Sequence, residues 1–338
     1  NEISSFIWNV CDDVLRGLFK QHEYGDVILP FVVLRRLDCV LEGKKDEIIK
    51  VHKEYRDKFD DTSKIIHSKL NLKFSNYSEY DLRRLKDEPN KLSENFYDYL
   101  SSFSTNVQDI IQNFGLQKHI DKLEKNNKLY LLVEKFTDID LHPSNIDNHV
   151  MGNIFEELLR KFSEMSNETS GEHYTPRDVV NLLVSLVFSS DKEKLSDPNK
   201  IISVYDPCCG TGGMLTIGKD WVHENINKEV DVNLFGQELN PQTYSICKSD
   251  FLITDEEPDN IKLGSTLTND QHSDGNRKFD YMITNPPFGV SWKSEQKQIL
   301  NESSEYGGRF SVGTPRSSDG SLLFLQHLIS KMETQGSR

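Results

Sequence analysis

The sequence predicts an α/β fold, a parallel sheet with crossover helices over residues 166–338, preceded by an all-α domain over residues 1–165. Two observations predict it. In the first half, apolar residues recur at spacings of three and four, the period of one helix face. In the second half, short apolar runs bounded by Gly, Pro, Asn and Asp alternate with helical patterns. A chain of 338 residues also fits two domains of about 150 residues each.

Phe6, Ile7, Val10, Val14, Leu18 and Phe19 form the first apolar face. Val32, Val33, Leu34, Leu37, Val40 and Leu41 form a second, which the sequence enters at Pro30. Charged connectors run from Lys44 to Asp61, and apolar segments follow at Leu92–Leu100 and Val107–Ile120. A last helix over Val150–Phe162 turns Ile154, Phe155, Leu158 and Leu159 inward. There is no internal repeat, and the 29 acids of this half read as a solvated surface. Beyond residue 166, Ile201–Tyr205 reads as a buried strand ending at Asp206-Pro207. Asn233–Gln237 is a second, ending at Glu238, and Phe279–Thr284 a third, ending at Asn285-Pro286. Open α/β sheets bind ligands at the carboxyl ends of their strands, where all three runs terminate in polar residues.

The composition is 36% hydrophobic and 28% charged, with a mean hydropathy of −0.58. No window approaches the roughly 20 apolar residues of a membrane helix. The first residues lack the basic and apolar regions of a signal peptide, and the missing initial Met implies a trimmed start. Five cysteines without a C-x-x-C pair point to a reducing, cytoplasmic setting. Ten histidines show no metal spacing, so no metal site is expected. Net charge is −14: residues 1–165 carry 24 Lys+Arg against 29 Asp+Glu, and residues 166–338 carry 16 against 25. Nucleic-acid affinity rests largely on neutralised phosphates, so such a chain binds duplex poorly by itself.

Asp206-Pro207-Cys208-Cys209-Gly210-Thr211-Gly212-Gly213 joins the first strand to a helix. Its glycines let backbone approach a ligand and expose amides at a helix start, although a tight turn explains them too. Gly213–Asp220 imitates a P-loop, but Asp220 replaces the Mg²⁺-binding hydroxyl and the glycines fall inside the expected helix. Glu238 suits the two hydroxyls of a ribose, or equally the amino terminus of a helix entered at Pro241. Turn and acid together fit an adenosine-containing cofactor: NAD, FAD or S-adenosylmethionine. Asn285-Pro286-Pro287-Phe288 chooses among them. The prolines stiffen an extended loop. The Asn285 side-chain carbonyl and the Pro286 backbone carbonyl can both face one amino group, and Phe288 offers a surface for a base to stack upon. An amine conjugated to a ring is a poor nucleophile, and two acceptors on its hydrogens favour a more tetrahedral nitrogen.

These motifs resemble the S-adenosylmethionine-dependent amino-methyltransferases, and more closely the modification (methyltransferase) subunit of type I restriction–modification systems. Asn148–Leu159 is similar to the stretch joining the family's helical and catalytic domains, and Ile28–Val40 to its helical domain. Gly171–Val180 resembles the segment that embraces the cofactor, Asp206–Leu215 the methionine-binding loop and Gly236–Pro241 the ribose-binding motif. The resemblance implies a Rossmann-like methyltransferase domain that transfers a methyl group to N6 of an adenine flipped out of DNA. Cytosine-N4, RNA-adenine or glutamine-amide methylation and a non-catalytic scaffold are the alternatives. By resemblance, Asn285, Pro286, Pro287 and Phe288 are catalytic. Glu172, His173, Tyr174, Thr175, Pro176, Arg177, Asp206, Gly210, Thr211, Gly212, Gly213 and Glu238 bind the cofactor. The implied partners are DNA, a DNA-specificity subunit, a second copy of this chain and, optionally, a restriction (motor) subunit, with no membrane. Most of the grip on DNA then falls to another subunit.

Two departures stand out. Ser265 occupies the place where many amino-methyltransferases carry an Asp on the cofactor's adenine, and a Cys (Cys208 or Cys209) stands where the family has Ala. These thiols lie in the cofactor turn and read as buried packing rather than nucleophiles. The chain ends soon after an expected helix over Leu322–Met332, so the resemblance implies a catalytic domain without its C-terminal part. Gly289–Gly320, with seven serines, reads as a lid whose Trp292, Tyr306 and Phe310 contact a base, or as a surface loop with incidental aromatics.

Overall fold

A computed structural model describes residues 2–166, 175–197, 199–254 and 256–338. The chain forms two compact units, residues 1–168 with 248–255, and residues 169–247 with 256–338. The return of 248–255 to the first unit has no counterpart in the sequence pattern. Among the described residues, no helix is long and apolar enough to cross a membrane.

The first unit is helical: α1 (Glu2–Val10), α2 (Tyr24–Leu41), α3 (Lys45–Tyr55), α4 (Ser63–Leu70), α5 (Leu92–Ser101), α6 (Thr105–Phe114), α7 (Gln117–Lys125), α8 (Leu129–Thr137) and α9 (Asn148–Ser166). Helix α2 begins at Tyr24 and carries Pro30 inside it, rather than starting there. All of α2 except Asp26 and Val40 is buried, and that packing outweighs the local cost of a proline, about 3 kcal/mol. Its charges are tied down within the unit. Arg35 donates to the Ile139 carbonyl at 2.7 Å, and Arg36 donates to the carbonyls of Leu141 and Ile146 and to Asn148. Asp38 is not part of a solvated acidic surface. It accepts the Leu82 amide at 2.7 Å and the Tyr99 hydroxyl at 2.8 Å, and burial pushes its carboxyl up to about 6.

Among the described residues the second unit holds four parallel strands: β1 (Ile201–Asp206), β2 (Asp231–Glu238), β3 (Ile261–Leu263) and β4 (Tyr281–Met282), in the order β3-β2-β1-β4. Helix α10 (Arg177–Ser189) and the short α11 (Lys192–Leu195) precede the sheet. Helices α12 (Gly213–Asn225) and α13 (Pro241–Ile253) are the first crossovers, while α14 (Gln296–Ser304) and α15 (Ser321–Ser330) follow β4. The neighbours of β1 lie on opposite sides of it, so the strand order reverses there, the position at which such sheets open a ligand crevice. Strand β4 is shorter than the apolar run Phe279–Thr284. The Asp280 carboxylate accepts the Ser203 amide and hydroxyl, each at 2.9 Å, which replaces ladder pairing at one end. Tyr205 stacks on Phe279 with centroids 4.2 Å apart, and Phe188 packs on Tyr281, filling the two sides of the sheet's centre.

Residues 289–320 leave and rejoin the unit at one place. The Gly289 amide donates to the Asp319 carboxylate at 3.3 Å, Gly320 to the Val290 carbonyl at 3.1 Å and Trp292 to the Ser317 carbonyl at 3.1 Å. The segment has its own core, in which Trp292, Ile299 and Phe310 pack with Leu267, Leu323 and Phe324. Trp292 and Phe310 are therefore interior side chains rather than parts of an open surface loop, and the Trp292 indole N–H is spent on the Arg316 carbonyl at 3.0 Å. Tyr306 alone of the three aromatics is fully exposed.

Candidate active site

The turn after β1 places Gly210 at φ +54° and Gly212 at φ +85°, conformations that favour glycine, and α12 starts at Gly213. Its anchor is the acid at the end of β2. One Glu238 carboxylate oxygen accepts the Gly210 amide at 2.8 Å and the other accepts the Asn240 amide at 2.7 Å. Glu238 thus steadies the chain entering α13, and it also lines a cavity. Asn240 caps α13 through the Gln242 amide at 2.8 Å. Gly218 and Lys219 lie within α12, and Lys219 pairs with Glu256 at 2.6 Å, so the P-loop imitation has no loop. Gly236 is required by close approach, since a Cβ there would sit 2.8 Å from the Cys209 sulfur. Burial pushes the Cys208 thiol well up, and hydrogen bonding to Cys247 and burial do the same for Cys209, so neither is a thiolate nucleophile.

Asp206 is 2% exposed, and its carboxylate accepts the Cys208 amide at 2.9 Å. Loss of water pushes it up to about 7 from an ordinary 3.8, with the Cys208 amide pulling the other way. Between those values the unfolded chain releases a proton that the folded chain keeps, so this group lowers stability as pH rises. His327 acts in the opposite sense. Burial lowers it to about 3 from 6.5, so its contribution is lost as pH falls below 6.5. Asp206→Asn removes the first dependence alone. Relative to the parent, the variant should gain of order 1 kcal/mol per pH unit between pH 5 and 7, read from paired melting curves. A difference that does not change with pH would mean that Asp206 is ionised throughout.

After β4 the Asn285 amide N–H donates to the Thr175 hydroxyl at 3.0 Å. That bond leaves the Asn285 carbonyl oxygen unclaimed by any described residue, and Asn285 is one of the residues lining the cavity. Phe288 is 69% exposed at the loop's end. Pro176 and Arg177 sit with Thr175 at the start of α10, whereas Glu172, His173 and Tyr174 lie outside the described residues.

A cavity of about 340 Å³ opens between the ends of β1, β2, β3 and β4. Of the residues expected from sequence, Glu238, Asn285 and Pro287 line it; Thr175, Pro176, Arg177, Asp206, Gly210, Thr211, Gly212, Gly213, Pro286 and Phe288 do not. Asp206 is followed by Pro207 and Cys208, which do line it, and accepts the Cys208 amide. Sequence reasoning missed Leu239, Val290, Glu295 and Phe324, all of which line the cavity, as does Trp292, which the sequence had marked within the lid. Leu239 had a signal, an apolar residue directly after the strand-end acid, whereas Glu295 is one charge in a Ser-rich stretch. Among the described residues no group of three or more His, Cys, Asp or Glu could hold a metal ion.

The family model for N-6 DNA methylase matches residues 146–338, more than half of the chain. The chain belongs to the N-6 DNA methylase family. Residues 3–136 match the HsdM N-terminal domain. The chain is 25% identical over 348 residues to the type I restriction enzyme MjaIX methylase subunit of Methanocaldococcus jannaschii, covering 97% of this chain and 58% of the relative. It is 22% identical over 352 residues to the EcoKI methylase subunit of Escherichia coli, covering 99% and 57%. The chain thus spans a little over half the length of these two relatives. The crystal structure of a type I restriction-modification system methyltransferase subunit from Streptococcus thermophilus shares the fold, with a TM-score of 0.69 at 20% identity over 98% of this chain and 72% of that one. Membership of this family implies a methyl-donor cofactor.

Proposed function

We propose that this chain is the methyltransferase subunit of a type I restriction–modification complex, methylating N6 of a flipped-out adenine in DNA with S-adenosylmethionine as donor. The observation that carries the reading is Asn285, whose amide N–H is taken by Thr175, whose carbonyl is left without a described partner, and which lines the same cavity as Glu238. The cavity suits an adenosine-containing donor. Its 340 Å³ lies in the range of small-molecule sites, and it combines a fixed carboxylate with apolar walls at Leu239, Leu267 and Trp292.

When bound, S-adenosylmethionine supplies a methyl group already activated on a sulfonium. The protein's part is to bind, orient and desolvate. Glu238, held by two backbone amides, has lone pairs left for ribose hydroxyls. The Asn285 carbonyl and the Pro286 backbone carbonyl accept from the target amine, fixing its nitrogen toward the donor. Phe288, exposed beside them, offers the stacking face for the extruded base. With 16 Lys+Arg against 25 Asp+Glu in residues 166–338, duplex affinity and site choice fall to a DNA-specificity subunit, joined by a second copy of this chain and, optionally, a restriction subunit. The catalytic domain corresponds to residues 166–338, the helical domain to 1–165, and the setting is cytoplasmic.

Calorimetry tests the cofactor site directly. The parent should bind S-adenosylmethionine, and Glu238→Ala should weaken binding about 10- to 100-fold by removing the ribose acceptor and freeing the Gly210 turn. Equal affinity in parent and variant would sink this assignment of the cavity. Tritiated-methyl transfer to DNA with the specificity subunit present then separates an enzyme from a scaffold.

A further inference from the structure

We infer that Glu295, at the start of α14, is the acceptor for the exocyclic amino group of the bound cofactor's adenine. The inference rests on reading the cavity as the S-adenosylmethionine site and adds to it the residue that recognises the base. An adenine ring needs a flat apolar slot and, at one edge, an acceptor for its amino hydrogens. The loop after β3 forms part of the wall, with Ser265, Thr266 and Leu267 lining the cavity.

The backbone acceptors of that loop are already engaged. The Gly264 carbonyl accepts from the Gln237 side chain at 3.1 Å and the Ser265 carbonyl from the Asn269 amide at 2.7 Å. The Thr266 and Leu267 carbonyls each accept from the Arg309 guanidinium at 2.8 Å. The Thr266 hydroxyl donates to the Pro207 carbonyl at 2.5 Å.

Glu295 differs from all of these. Glu295 lines the same cavity, and its Oε1 accepts the hydroxyls of Ser265 and of Thr268, the latter at 3.2 Å. Its Oε2 takes no hydrogen bond from any described residue. Two hydroxyls thus fix the carboxylate on the loop and leave one oxygen for a ligand donor. The segment bearing it is held in turn by Arg309, which pairs with Glu302 of α14 at 2.6 and 2.7 Å. The position is rigid before any ligand arrives, as a selective hydrogen-bond acceptor requires. A carboxylate also repels an oxygen in place of the amino group, so the site should discriminate adenine from hypoxanthine.

The test is a calorimetric titration of the full-length protein with S-adenosylhomocysteine and with its inosine analogue, in which a carbonyl replaces the amino group. The parent should favour the adenine compound by about tenfold or more. Glu295→Gln can turn its amide N–H₂ toward the ligand, so the preference should fall to about threefold or below, with the melting temperature little changed. Ser265→Ala, which removes a support but leaves the carboxylate, should keep the preference. A parent-like ratio in Glu295→Gln, with the adenine compound still bound, would overturn the inference and spare the cofactor reading. A folded parent that binds neither compound would overturn both.

Discussion

Asn285→Ala should lower methyl transfer by the assembled complex about 10²–10³-fold while leaving cofactor affinity within about twofold of the parent. The variant removes the carbonyl that accepts from the target amine, an interaction at the reacting nitrogen and not at the cofactor. Its loss should therefore appear in kcat and not in donor binding. Thr175→Val offers a graded control. It keeps Asn285 but removes the hydroxyl that takes its amide N–H at 3.0 Å, freeing the amide to rotate. Roughly a tenfold loss is expected there, about the worth of one positioning hydrogen bond. Both are read by tritiated-methyl transfer in single turnover with saturating donor. An Asn285→Ala enzyme with parental kcat would remove this residue from the chemistry.

The second large effect is structural. Arg309→Met should weaken the packing of residues 290–310 by about 3 kcal/mol. Arg309 is 15% exposed in its side chain and Glu302 is 26% exposed, so their pair is largely shielded from water. The same guanidinium satisfies the Thr266 and Leu267 carbonyls and donates to His327 Nδ1 at 2.9 Å. His327 Nε2 in turn meets the Tyr205 hydroxyl of β1 at 3.0 Å. One side chain therefore links α14, the loop after β3, and α15. Removing it strands a carboxylate and two carbonyls together. Amide hydrogen exchange at Ile299 and Phe310 should quicken about 100-fold, the equivalent of 3 kcal/mol in local opening. Adding Glu302→Leu should recover part of the loss, since the unpaired carboxylate goes. Unchanged exchange in Arg309→Met would show that the apolar core holds the segment unaided.

What could be read from the sequence was what local chemistry determines. The run Ile201–Tyr205, the acid after Gln237 and the Asn-Pro-Pro-Phe loop carry their meaning in neighbouring residues; the first two strands end where the sequence places them, at Asp206 and Glu238, whereas β4 stops at Met282, before the loop. Pro30 misled because its effect on a helix start is local, whereas the burial of α2 is tertiary. Strand β3 spans only Ile261–Leu263, too short for an alternation to register. Asp38 read as one of the surface acids because its partners, Leu82 and Tyr99, lie 44 and 61 residues away. Trp292 and Phe310 sat in a stretch rich in Ser and Gly, where composition suggests exposure, yet they build its core. Glu295 was hidden for the same reason: only the meeting of α14 with the loop after β3 gives its carboxylate a place.

Residues 289–320 form a closed excursion, with Gly289 bonded to Asp319 and Val290 to Gly320 at its base. A loop whose ends are already fastened to each other transmits little of what happens at its far side. Val312 and Gly313, both exposed, mark that far side. Lengthening the chain there costs only the slow logarithmic growth of loop entropy and leaves Asn285 and the start of α15 in place. The turn at Val312 is therefore where the unit can accept a grafted segment while Val290, Trp292 and Glu295, nearer the fastened base, keep their places in the wall of the cavity.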